Sequence, residues 1–350
     1  MAPLGKAAAA ARERWIALAL AGLLAVPGAA VVSHAQAPTE PVAVIVEPAD
    51  NSTIRGRTPV FGWAVDPQQP PSSGQGINAR DVQLWLGAFP DGRLLDYARY
   101  GLPSEEAARR YGGGFLDSGF ERTWETCSFR PGRYDLWVYV SSLSSPGARG
   151  YSQASVTVEP CPAGTELYRA DFQDHAAWRT ISTAQVETQA DGNAWIIQRK
   201  VPGASGESPE GVFANFRAEV KAQLLSRVLN RYYYLQFRQV PGAGSSLTDT
   251  YYRFSVDPDF GSFDLALWDG ERETVLVPET RLEELIRPPE EENLLAVEAD
   301  GPRIRLYING VQVGEARDDT HPWGRVSFGV GTGGQPDAQA RFRDFVITTP

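Results

Sequence analysis

Several reactive residue types are nearly missing from this chain. Its 350 residues include two cysteines, three histidines and one methionine. The only lysines are Lys6, Lys200 and Lys221. Beyond His34, the histidines are His175 and His321, and neither has a motif partner. No nucleophile elbow, no H-E-x-x-H helix and no P-loop occurs, so those chemistries have nothing to rest on. There is no basic block either. The net charge is −10 and the isoelectric point about 5.0, which argues against nucleic acid or anionic lipid as the main partner.

What is present begins with a leader. Lys6, Arg12 and Arg14 precede an apolar run from Trp15 to Val26, and Ala35-Gln36-Ala37 has the small-residue spacing of a secretory cleavage site. Export is expected, with residues 1–37 as a signal peptide or N-terminal anchor. Pro38 directly after the cut disfavours cleavage, and an uncleaved segment would be a membrane anchor of marginal length. Membrane association is expected only in that case. In an oxidising compartment the even pair Cys127 and Cys161 points to one disulfide, and the loop it closes makes it worth about 3–4 kcal/mol. The bland alternative is two buried thiols.

A spacer, residues 38–41, leads into seven short strand runs over residues 42–158, separated by Gly, Pro, Asn or Asp. One helix interrupts them: Ser104 is the N-cap, Glu105 and Glu106 occupy the first turn, and Gly112–Gly114 stop it. Trp63, Trp85 and Trp137 lie in apolar strand runs and read as core. Residues 159–164, with Pro160 and Pro162, form a linker. The separate strand sets on its two sides suggest that each half owns its core and folds alone.

The second half, residues 165–350, carries about a dozen strand runs, with turns at Asp191-Gly192 and Asn309-Gly310. A short helix is expected after Thr280, which with Glu283 forms a capping box ahead of Leu282 and Ile286. The half is organised around the stretch from Tyr232 to Asp269, which holds ten aromatic residues where the chain-wide 11% gives about four. Period-two alternation there puts Tyr233, Leu235, Phe237, Tyr252, Phe254, Val256, Phe263, Leu265 and Leu267 on one buried face. The opposite face collects Tyr232, Tyr234, Gln236, Arg238, Tyr251, Arg253, Ser255, Asp264, Ala266 and Trp268, of which Tyr234, Gln236, Arg238, Tyr251, Arg253, Asp264 and Trp268 are the candidate ligand-binding residues. A face both aromatic and charged is a candidate for binding saccharide: rings stack on sugar rings while planar polar groups reach the hydroxyls. The bland alternative covers that face with a loop or the Thr280 helix and pairs Arg238 or Arg253 with Asp264.

Two resemblances follow from particular stretches. EPADNSTIRGRTPVFGWAVD, GINARDVQLWLG and PGRYDLWVYV resemble bacterial immunoglobulin-like modules. ADFQDHAAWR, YYRFSVDPDFGSFDLALW, the LYINGVQVG hairpin, GRVSFGVGT and RFRDFVI resemble the concanavalin A-like lectin/glucanase superfamily, in its laminin G-like and 3-keto-disaccharide-hydrolase-like branches. The matching pairs Asp171-Phe172 and Asp344-Phe345 imply first and last strands side by side. The superfamily often holds calcium at a sheet edge, and Asp171, Asp174 and Asp344 are the candidates by position. Its glucanases carry E-x-D-x-x-E, of which only Glu298-Ala299-Asp300 is echoed here. The hydrolase-like branch shows Glu-x-Gln where this chain has Arg253 and Ser255. Gly329 to Gly334 matches G-x-G-x-x-G but leads into a strand, which excludes a dinucleotide site.

The expectation is therefore an all-β protein, secreted or at the cell surface: an immunoglobulin-like sandwich followed by a concanavalin A-like jelly roll. It would bind polysaccharide or another glycan without catalysis and without a cofactor, calcium excepted. A glycoside hydrolase and a purely structural envelope or adhesion protein are the alternatives.

Overall fold

Alternation of apolar and polar residues governs nearly every strand. The structure, a computed structural model, describes residues 40–68, 76–145, 147–170, 172, 186–192, 194–200, 204–207, 211–226, 230–240, 249–334 and 337–350. The expected leader, Asp171, Asp174 and His175 lie outside the described residues.

The first half contributes β1 (Val42–Glu47), β2 (Ser52–Ile54), β3 (Arg57–Val65), β4 (Gln83–Leu86), β5 (Arg93–Tyr97), β6 (Arg99–Leu102), α1 (Glu105–Tyr111), β7 (Gly119–Glu125), β8 (Gly132–Ser141) and β9 (Arg149–Val158). They form a four-stranded sheet, β1-β3-β7-β6, and a five-stranded sheet, β2-β9-β8-β4-β5. Val60, Phe120 and Trp124 meet Leu84, Leu136, Val138 and Val156 between them. The helix forms where expected, with Ser104 accepting from Ala107 N at 3.3 Å and Gly112 closing it.

Of the three tryptophans read as core, only Trp63 is buried, and it sits beneath α1 rather than between the sheets. Trp85 and Trp137 stand on the other face of the five-stranded sheet. Their strands alternate, and Leu84, Leu86, Leu136 and Val138 already fill the inner positions. Trp124 is the tryptophan of the inter-sheet core.

The second half contributes β10 (Glu166–Arg169), β11 (Val186–Ala190), β12 (Ala194–Arg199), β13 (Ala204–Glu207), β14 (Phe216–Leu224), β15 (Tyr232–Val240), β16 (Thr250–Asp257), β17 (Ser262–Trp268), β18 (Glu273–Arg281), β19 (Glu292–Asp300), β20 (Arg303–Ile308), β21 (Val311–Arg317), β22 (Arg325–Gly331) and β23 (Ala338–Thr348). An eight-stranded sheet runs β11-β12-β23-β14-β19-β20-β21, with β10 pairing on β23, and a six-stranded sheet runs β13-β22-β15-β16-β17-β18. The first and last strands are neighbours, Tyr168 opposite Ile347. β14 shows the pattern most plainly: Phe216, Ala218, Val220, Ala222 and Leu224 are fully buried, and the residues between them face outward. Asn309 and Gly310 both have positive φ, 50° and 83°, as a type I′ hairpin turn requires. The chain is thus nearly all β, in packed two-sheet sandwiches.

The helix expected after Thr280 is absent. Thr280 extends β18 and pairs with Phe263 instead. Between there and Pro288-Pro289 only a single turn remains, with Ile286 N donating to Leu282 O at 2.9 Å. One turn cannot repay helix nucleation.

The halves share an interface rather than owning fully separate cores. Residues 38–350 form one compact unit. Val212, Ala214 and Trp323 of the second half pack into the first half's cluster, and Trp323 Nε1 donates to Leu94 O at 2.8 Å. Asn215 N and Nδ2 donate to Ser128 O at 2.8 and 2.9 Å. The Cys127–Cys161 disulfide pins the linker beside this contact.

Near the same place Glu125 is 5% exposed, and burial pushes its carboxyl up to about 7 despite the neighbouring Arg57. A carboxyl raised above its unfolded value of about 4.5 binds its proton more tightly when folded. Its contribution is fully present below about pH 4.5 and is lost as pH rises through 7. Glu125→Gln should therefore stabilise the protein at pH 8, by on the order of 1–3 kcal/mol, and be neutral at pH 4. Urea midpoints of both proteins at the two pH values check this; a difference independent of pH would contradict it.

Candidate functional site

The non-core face of the six-stranded sheet carries the expected aromatic and polar residues, with two changes. Register sets their places. Tyr234 lies opposite Ser255 on one side and Gly329 on the other. Gln236 lies opposite Arg253 and Ser327. Ser255 lies opposite Asp264, Arg253 opposite Ala266, and Tyr251 opposite Trp268. Trp268 in turn faces Glu273 on β18. Gln236, Tyr251, Arg253, Asp264 and Trp268 are all partly exposed there.

The first change is Arg238. The register of β15 shifts between Phe237 and Val240, and Arg238 has φ 48°. That bulge turns its side chain off the face. It is fully buried, donating from Nε and Nη2 to Ala214 O at 3.2 and 2.8 Å and from Nη2 to Gly301 O at 2.8 Å. Burial pulls its guanidinium down to about 10. Arg238 is a strut between loops, not a ligand-facing group. The second change is Tyr234, which is on the expected face but only 3% exposed. Burial drives its hydroxyl well above the usual tyrosine range.

Arg253 is the hub of what remains. Its Nη2 donates to Glu273 Oε2 at 2.7 Å, and its guanidinium lies 5.8 Å from the centroid of the Tyr232 ring. The Tyr232 ring is 6.2 Å from that of Tyr234. Arg253 Nε is buried and has no hydrogen-bond partner among the described residues. The pairing of an arginine with Asp264 expected of a covered face is thus replaced by pairing with Glu273. Asp264 keeps a bond from Ser255, and burial pushes its carboxyl up to about 6; Arg253 works against the rise and Glu273 adds to it.

Sequence reasoning placed Tyr232 on this face without counting it among the ligand-binding residues, and omitted Glu273 and the packing role of the glycines of β22. The glycine signal was readable in part. A Cβ on Gly331 would sit 2.1 Å from Cζ of Tyr232, so the Tyr232 ring rests on bare backbone there. The G-x-G pattern serves ring packing against a strand, not a phosphate.

The other candidates lie elsewhere. Glu298 is on the eight-stranded sheet, where its carboxylate receives Arg305, the Tyr307 hydroxyl at 3.4 Å and Arg217 at 3.7 Å. Asp300 takes Arg130 at 3.2 Å. Neither converges with Asp264. Asp344 pairs with Lys221 Nζ at 2.7 Å. Its two proposed calcium partners, Asp171 and Asp174, lie outside the described residues. A depression of about 710 Å³ opens on the eight-stranded sheet, but Arg343 there pairs with Glu292 and Arg341 with Asp191 at 2.8 Å. Its arginines are largely committed to these ion pairs and it carries no aromatic ring among the described residues, so size alone does not mark it as the site.

No family model matches the chain, and no curated protein matches it. Among solved structures it is similar to a carbohydrate-binding module from Bacillus subtilis, at 18% identity over 49% of this chain and 96% of that one, TM-score 0.39. It is also similar to a Bacillus subtilis protein with a galectin-like fold, at 13% identity over 54% and 97%, TM-score 0.42. A third is the Bacillus licheniformis beta-glucanase, at 10% identity over 54% and 100%, TM-score 0.40.

Proposed function

We propose that this chain is an exported glycan-binding protein. Its saccharide site is the six-stranded-sheet face around Tyr251, Trp268 and Arg253. One observation carries the reading: a cross-strand Tyr–Trp pair, both partly exposed, stands beside a guanidinium whose buried Nε has no partner among the described residues. The rings offer apolar faces to sugar C–H groups, and the planar donor offers hydrogen bonds to hydroxyls. A donor left unmade in a buried place is costly unless a ligand or water completes it. The net charge of −10 disfavours polyanions, so a neutral glycan is the expected class. The disulfide supports an oxidising compartment. A glycan array probed with the mature protein should show retention confined to neutral saccharides. Protein that melts normally yet binds nothing across the array would overturn the proposal.

A second reading, glycoside hydrolysis, has one observation in its favour. Asp264, raised to about 6, shares the face with Glu273, whose carboxylate is paired with Arg253. Two carboxyls on one open face are what glycoside hydrolysis requires, and the more buried one is placed to hold a proton. If that reading holds, Asp264→Asn abolishes reducing-sugar release while leaving glycan retention intact. Absence of any sugar release by wild-type protein removes it.

A further inference from the structure

The first half presents a second aromatic surface that the proposed site does not use. On the outward face of the five-stranded sheet, register forms two transverse rows across β4, β8 and β9. One reads Trp85, Trp137, Gln153 and the other Gln83, Tyr139, Tyr151. Each row is two rings ending in an amide. Phe89 extends the array beyond Trp85, at 5.5 Å between centroids. Trp137 and Tyr139 lie parallel at 5.8 Å, and Tyr151 packs on both at 5.5 and 6.2 Å. Tyr151 is 64% exposed and Phe89 56% exposed. The inner positions of the same strands are buried leucines and valines, so this surface is not needed to close the core.

We infer that this face is a stacking platform for a neutral polysaccharide, separate from the Tyr251–Trp268 face and independent of what that face binds. Its composition argues for sugar. Rings and amides share each row, with Gln153 ending one and Gln83 the other. Gln83 is held by Asp81 and in turn accepts Trp85 Nε1 at 2.8 Å. The Tyr139 hydroxyl accepts Phe89 N at 3.0 Å. With Trp85 Nε1 and the Tyr139 hydroxyl so engaged, the polar groups that a proline-rich peptide uses on aromatic grooves are partly committed, whereas the Tyr151 and Phe89 rings stay exposed. The charged groups stand at the rim: Arg149 lies 5.9 Å from the Phe89 ring, and Asp81 is held by Gln83 and Ser141. An anionic membrane finds no basic cluster here, and the chain's net charge repels it.

The test uses the full mature chain in affinity electrophoresis through gels cast with laminarin, galactomannan or xylan. It is paired with pull-down on insoluble cellulose and chitin. Tyr151→Ala and Gln153→Ala alter exposed side chains and should leave the melting temperature unchanged. Tyr151→Ala should weaken retention on at least one of these polymers about tenfold, the loss of one good ring contact. Trp268→Ala should leave retention through this platform in place, which separates failure here from failure of the other face. Wild-type protein ignored by all five polymers, or retained equally well after Tyr151→Ala, overturns the inference. So does a concentration-dependent dimer in sedimentation velocity that Tyr151→Ala dissolves, since the face would then be a self-association surface. Retention by an immobilised proline-rich peptide in place of the polysaccharides would overturn it too.

Discussion

Replacing Asp96 with alanine is expected to destabilise the protein by about 3–5 kcal/mol, because it leaves two guanidiniums facing each other in a nearly dry place. Asp96 is fully buried in β5. Its carboxylate meets Arg122 of β7 in the same half and Arg325 of β22 in the other, the latter at 3.0 Å. The side chains of Arg122 and Arg325 are 10% and 13% exposed. Burial alone would raise the Asp96 carboxyl, but the two arginines outweigh it and hold it below the usual range. The stability this contributes is present above the unfolded aspartate value of about 3.9 and is lost as pH falls through the depressed folded value. Urea unfolding near pH 7 measures the effect. A change under about 0.5 kcal/mol would place the triad among ordinary surface ion pairs. The triple variant Asp96→Leu, Arg122→Met, Arg325→Met should recover much of the loss, since apolar groups of similar volume avoid the desolvation cost. The triad bridges the halves, so the single variant should also loosen residues 165–350 from residues 42–158, seen as faster hydrogen exchange around Trp323.

Trp268→Ala is expected to cost little stability and most of the affinity for a glycan bound at the six-stranded sheet. Trp268 sits at the end of β17, opposite Tyr251 and Glu273, and is partly exposed. Truncating a central ring at a binding face commonly costs about 2 kcal/mol or more, roughly thirtyfold in affinity. A fully covered tryptophan would instead cost about 3–5 kcal/mol of folding stability. Melting curves and retention assays on the same preparation separate the two. Tyr251→Ala should behave alike, and Tyr234→Ala should not: Tyr234 is nearly inaccessible, so its loss should appear in the melting temperature first.

The strands of this fold were legible because burial imposes a period of two that composition cannot hide. The meander from Tyr232 to Trp268 falls where alternation put it, and the core face was read correctly along all three strands. Arg238 was not legible. A bulge adds one residue and reverses the face, and nothing in YYYLQFRQV marks where that occurs. Trp85 and Trp137 were misread because an aromatic within an apolar run looks like core; only counting which neighbours already fill the inner row shows that they face outward. The Thr280 helix was misread from a capping box, a local signal that lost to pairing with β17. The shared interface had no sequence signal at all, since Leu94 and Asp96 are separated from Trp323 and Arg325 by well over half the chain and meet them only in the folded state. Glu273 escaped notice for a related reason: its role exists only because β18 pairs with β17.

The most direct measurement follows the indole resonances of the protein during a glycan titration, with tryptophans labelled at Nε1. The Trp268 signal is identified by its loss in Trp268→Ala. Addition of a neutral glycan retained by the wild-type protein should shift the Trp268 resonance in a saturable way and leave that of Trp124, in the core of the other half, unmoved. A Trp268 resonance that stays fixed at saturating glycan, while binding is evident by retention, would contradict the assignment of the site to the six-stranded sheet.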